Sequence, residues 1–137
     1  MKIVIAYDGS NDAREGLKIA QRFAKENQGE ITLLYVARKT EDMSKEEEEK
    51  AIKKGEEILK EAKNSVEEGI TVKEAVVSDY SVAEAILKFV EKEEADLLIM
   101  GARGVRPDII RYTLGSTAAK VANFAPCSIY IVKKKEN

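Results

Sequence analysis

The sequence has no histidine and a single cysteine, Cys127. Without imidazole, the usual neutral-pH base and the commonest metal ligand are both missing, and one cysteine cannot close an internal disulfide. Nucleophilic catalysis that relies on a histidine base is therefore excluded. No Gly-Lys-Ser or Gly-Lys-Thr of a Walker-type phosphate loop occurs either. No apolar run approaches the ~20 residues needed to cross a bilayer. The opening run Ile3 to Tyr7 meets Asp8 before a signal-peptide core could form. The expectation is a cytoplasmic chain with no membrane partner. Charge of one sign is also lacking: 23 basic residues nearly cancel 25 acidic ones, so no overall field draws the molecule to nucleic acid.

What is present fits one domain, residues 1–137. That length can enclose a core, and 44% hydrophobic with 35% charged residues is the balance of a folded globule. Ile3 to Tyr7 reads as a buried strand, ended by Asp8-Gly9-Ser10 as turn and cap. Ala13, Leu17, Ala20, Phe23 and Ala24 recur at helical spacing from Asn11 to Asn27, with Gly29 as the stop. Glu30 to Ala37 is a second apolar strand. Ser44 and Glu47 have capping-box spacing before a long helical stripe that runs to about Gly69. Its Glu46 to Glu49 run reads as a solvated face with charge suited to a helix start. Val72 to Val77 carries Lys73 and Glu74, which suits a sheet edge.

Ser81 and Glu84 repeat the capping spacing before Val82, Ala85, Ile86, Phe89 and Val90. Asp96 to Met100 is the most uniformly apolar strand. Leu114, Ala118, Val121, Ala122 and Ala125 then share a helical face, and Pro126 blocks continuation into the final strand, Ser128 to Val132. Strands alternating with helices predict an α/β fold, a single doubly wound five-stranded parallel sheet with the first and fourth strands central. Ligands of such sheets bind where the winding reverses, outside the strands' carboxyl ends. Those ends are Asp8 and Gly101.

Gly101-Ala102-Arg103-Gly104 follows the fourth strand, and Gly115-Ser116-Thr117 opens the last helix. Glycines admit close backbone approach and a helix N-terminus offers unpaired amides, so phosphate is the natural guest. A plain turn accounts for two glycines spaced by two residues about equally well. The second cluster and its helix favour phosphate.

Taken together, Asp8-Gly9-Ser10, Ala95-Asp96-Leu97-Leu98-Ile99-Met100-Gly101, the set Gly101/Gly104/Gly115-Ser116 and Ala125-Pro126-Cys127-Ser128 resemble the universal stress protein family over nearly the whole chain. The resemblance implies the strand order 3-2-1-4-5 of adenine-nucleotide-binding α/β proteins. It implies that Asp8 holds a ribose, that Val36 meets adenine through its backbone and that Met100 and Gly101 line base and sugar. Arg103, Gly104, Gly115, Ser116 and Thr117 would surround the phosphates of ATP or AMP, with magnesium. A carboxylate accepting from ribose hydroxyls and an arginine pairing with phosphate agree with this. Asp8 as a helix cap, Arg103 as a surface residue and Ser116 as an N-cap are the structural alternatives.

One departure stands out: ten residues, Val105 to Leu114, separate Gly104 from Gly115 where the family pattern has nine, and Pro107 stiffens them. The expected function is a nucleotide-binding regulatory protein of stress physiology. It is expected to act as a homodimer through Ile129, Tyr130, Ile131 and Val132 of the last strand. Catalysis is not required, although the resemblance leaves slow ATP hydrolysis open. A nucleotide-free dimerisation module of the same fold is the alternative. A phosphorylated receiver built on Asp79 fits poorly, since it needs an acidic pair after the first strand, where only Asp8 stands, and a helix after the fifth.

Overall fold

Apolar runs form strands and amphipathic stripes form helices in strict alternation. The elements are β1 (Lys2–Ala6), α1 (Asn11–Asn27), β2 (Glu30–Arg38), α2 (Lys45–Asn64), β3 (Thr71–Asp79), α3 (Val82–Lys92), β4 (Leu97–Gly101), α4 (Ser116–Phe124) and β5 (Ser128–Val132). The computed structural model describes residues 1–103 and 114–133. All strand pairs are parallel and the sheet order is β3-β2-β1-β4-β5. Fold class, strand order and central strands are thus as the sequence implies.

Side chains alternate across a strand, and β1 divides the core accordingly. Ile3, Ile5 and Tyr7 join a cluster with α1 and α2, while Val4 joins α3 and α4 on the other face. β1 and β4 are buried along most of their length, whereas β3 exposes Thr71, Lys73 and Glu74 at its edge.

Serines start three of the helices. Ser10 and Ser81 each accept a hydrogen bond from the backbone N–H three residues on, and Ser44 forms a complete capping box with Glu47. At α3 the box is half made, because the Glu84 carboxylate reaches Lys120 Nζ at 2.8 Å instead.

Three sequence expectations shift. α2 stops at Asn64 rather than near Gly69, since the Ser65 hydroxyl donates to Ala62 O at 2.6 Å and closes the last turn. Val66 continues the apolar stripe outside the helix and still packs on the core. The last helix begins at Ser116, not Leu114, and Ala122 is exposed while Ala118 and Val121 are buried.

Candidate functional site

β1 sends the chain to α1 on one face of the sheet and β4 sends it to α4 on the other, so the winding reverses between these neighbours. A cleft of about 340 Å³ opens at that point, at the low end of the size range of small-molecule sites. Its floor is the carboxyl ends of β1, β2 and β4. α3, through Val82 and Ile86, and the start of α4 also line the cleft.

Asp8 reaches the cleft just past the end of β1. Its Oδ1 accepts from Ser10 N–H at 2.9 Å, which tightens a turn that Gly9 completes at φ +84°. Asp8 is therefore not the helix cap of the structural alternative: it braces the turn, and Ser10 caps the helix. A carboxylate has a second oxygen to offer a ligand.

Val36 lines the cleft from β2. Tyr7 N–H donates to Leu34 O at 2.8 Å, after which β1 turns away. In a parallel strand the N–H and C=O of one residue point to one side and those of the next to the other. Those of Val36 therefore point to the same side as Leu34, where β1 has ended, and a donor and an acceptor from one residue face the cleft together.

Met100 is buried and, with Gly101, forms the floor at the end of β4. A Cβ on Gly101 would lie 2.8 Å from Asp12 Cβ, so only glycine fits there. Arg103 lines the cleft while its guanidinium is forked onto Asp12, with Nη2 3.0 Å from Oδ1 and Nε 3.2 Å from Oδ2. It is not the loose surface residue of the structural alternative.

Gly115, rather than Ser116, is the N-cap of α4, and among the described residues no side chain caps this helix. Gly115, Ser116 and Thr117 all line the cleft, and the amides of the first turn have no intrahelical acceptor. Gly104, and with it Pro107 and Asp108, lies outside the described residues.

Electrostatics follow from burial. Burial raises the Tyr35 hydroxyl above its ordinary value, and the nearby Asp8 charge adds to this. Burial likewise raises Tyr7, against a hydrogen bond from Arg14. Both phenols stay neutral around the acid. Among the described residues, no three acidic, cysteine or histidine side chains gather as a metal-ligand group, and no helix is long and apolar enough to cross a membrane.

The structure brings Asp8, Val36, Met100, Gly101, Arg103, Gly115, Ser116 and Thr117 to one cleft. It adds Arg38, Val82 and Ile86, which the sequence reading passed over. Arg38 follows Val36 by two positions and so shares its face of β2, a signal that was there to use. Asp12 gave no such signal, because only the fold brings it to Arg103.

The sequence pattern of the universal stress protein family matches residues 1–133. A universal stress protein of Methanocaldococcus jannaschii is 34% identical over 141 residues, covering 97% of this chain and 82% of that one. The structure of the universal stress protein from Archaeoglobus fulgidus in complex with dAMP superimposes with a TM-score of 0.70 at 20% identity, covering 97% of this chain and 98% of that one. A universal stress protein in complex with cAMP does so with a TM-score of 0.71 at 23% identity, covering 98% of each chain. At those identities the two structures speak for the fold.

Proposed function

The chain belongs to the universal stress protein family, and from that premise we propose that it binds an adenine nucleotide, ATP or AMP, in the cleft at the ends of β1, β2 and β4. In this reading occupancy adjusts a cytoplasmic homodimer that acts in the stress response. The observation that carries the reading is the α4 N-terminus, which no side chain among the described residues caps and which opens on the same cleft as Asp8 and the Val36 backbone.

Each part of a nucleotide has a counterpart. Amides and the helix dipole suit phosphate, the Asp8 carboxylate suits ribose hydroxyls, and the paired N–H and C=O of Val36 suit the edge of a purine. Two structural neighbours hold cAMP and dAMP, and the residues of this chain fit the same class of ligand. Magnesium would arrive on a triphosphate, since this ion is usually held by one or two carboxylates together with phosphate oxygens. Asp8 is the carboxylate that lines the cleft among the described residues. Binding, not turnover, is the proposed role.

Calorimetry with ATP and AMP, with and without magnesium, tests it. Gly115→Val is the informative variant, because Gly115 has φ −62° and ψ 158°, a backbone that valine adopts without strain. Its branched side chain would add bulk at a residue that lines the cleft. Losing one hydrogen bond to a charged group costs about 1.5–3 kcal/mol, so affinity should fall roughly ten- to hundredfold, while the poorer N-cap lowers stability by about 1 kcal/mol without unfolding the protein. Wild-type protein that gives no binding heat with either nucleotide at millimolar concentration would remove the proposal and leave the nucleotide-free dimerisation module.

A further inference from the structure

Asp12 stands in the first turn of α1 with 3% of its side chain exposed, and a carboxylate is buried that deeply only when it is paired. Arg103 comes to it from 91 residues away, with 14% of its own side chain exposed. The two contacts, at 3.2 and 3.0 Å, form a fork that fixes the guanidinium in orientation as well as in place.

Gly101 belongs to the same unit, since any Cβ there would press on Asp12 Cβ at 2.8 Å. Between Gly101 and Arg103, Ala102 makes two backbone ties. Its N–H donates to Val132 O at 2.9 Å, and its C=O accepts from Gly115 N–H at 2.8 Å. The clamp on Arg103 is therefore one residue from the bond that sets the N-cap of α4.

We infer that Asp12 is a positioning residue for the phosphate end of the cleft. It holds Arg103 and, through Ala102, the α4 amides in the arrangement a nucleotide phosphate requires, without touching the ligand. The inference rests on the nucleotide reading of this cleft. A carboxylate near a phosphate also repels it, but here both oxygens are covered by guanidinium N–H groups and the pair presents little net charge. Ordering therefore outweighs repulsion.

The test compares wild type with Asp12→Asn, which keeps the shape and removes the charge. Adenosine and AMP are titrated calorimetrically, and the Arg103 Nε–H signal is followed by NMR in both proteins without ligand. That signal should be resolved and slow to exchange in wild type and lost in the variant. AMP affinity should fall about tenfold, or ~1.4 kcal/mol, while adenosine affinity stays within about twofold. Arg103→Gln should give the same pattern, and the double variant should lose little more, because residues that act as one unit are non-additive.

An unchanged ratio of AMP to adenosine affinity overturns the inference alone. So does a rise in AMP affinity, which would make Asp12 a competitor for Arg103. Equal losses of both ligands with a lower melting temperature overturn it too, by reducing the pair to general support of the fold. Wild type that binds neither adenosine nor AMP removes the nucleotide reading, and the inference falls with it.

Discussion

Gly55 and Tyr35 show how single positions shape the cleft. Gly55 is buried on the sheet-facing stripe of α2, and a methyl group there would come within 2.8 Å of Tyr35 Cε1 and 2.9 Å of Cγ, and closer still to Cδ1. In an exposed helix, Gly→Ala stabilises by about 0.8–1 kcal/mol, whereas overpacking a close contact costs typically ~1–3 kcal/mol. Overpacking should win, so Gly55→Ala is expected to destabilise by about 1 kcal/mol and, because Tyr35 lines the cleft, to weaken nucleotide binding as well. Denaturant midpoints and calorimetry check this; a stabilised variant with unchanged affinity would mean that the ring simply swings aside. Residues set by local chemistry were legible in the sequence: Asp8 ends a strand, Gly101 ends another and Ser116 opens a helix. The engagement of Arg103 was not, because periodicity reports faces of an element and says nothing of a partner 91 residues away.

At the scale of elements, punctuation decided what could be read. α1 runs from Asn11 to Asn27 as its stripe implies, but the left-handed turn that ends it falls on Gln28 at φ 50°, while Gly29 donates its N–H to Ala24 O at 2.8 Å. α2 was read too long because Val66 keeps the apolar rhythm after the backbone has left the helix. The start of α3 is worth probing, since this helix supplies Val82 and Ile86 to the cleft. Ser81 Oγ accepts from Glu84 N–H at 3.2 Å, and Asp79 Oδ1 accepts from Ser81 N–H at 3.1 Å. Ser81→Ala should cost about 1 kcal/mol. The Ser81 N–H holds the Asp79 carboxyl below its ordinary value of 3.8, and Lys88 adds to this. A carboxyl lowered by folding contributes stability that is present above its unfolded pKa and is lost as pH falls through the folded one. Melting curves between neutral pH and pH values below 3.8 should therefore show an acid-side decline that Asp79→Asn makes shallower. Parallel curves for the two proteins would show that the bond contributes nothing to the pH dependence.

For the whole molecule, alternation of strands and helices gave the parallel sheet, but the order 3-2-1-4-5 came from the family resemblance, because periodicity cannot say which strands are neighbours. That order leaves two edges of different character. β3 carries Thr71, Lys73 and Glu74 exposed on its edge, with Lys73 Nζ 3.6 Å from Glu30 Oε1, and charges of this kind blunt an edge against pairing. β5 reads Ser-Ile-Tyr-Ile-Val and has no charge along its length. Tyr130 at its centre is 40% exposed and meets Phe23 edge-on at 6.1 Å, while Phe124, just before it in the chain, is 68% exposed. An uncharged edge with such neighbours needs a cover, and a second β5 across a twofold axis supplies one that is self-complementary. Light scattering at tens of micromolar should report a dimer, about tenfold above a ~μM dissociation constant. Tyr130→Lys would set two like charges near the axis, where facing like charges destabilise a strand pair. It should give a monomer that still binds nucleotide, since Tyr130 lies outside the cleft. A wild-type monomer at that concentration would refute the β5 dimer, and a Tyr130→Lys protein that remains dimeric would place the interface elsewhere on the surface.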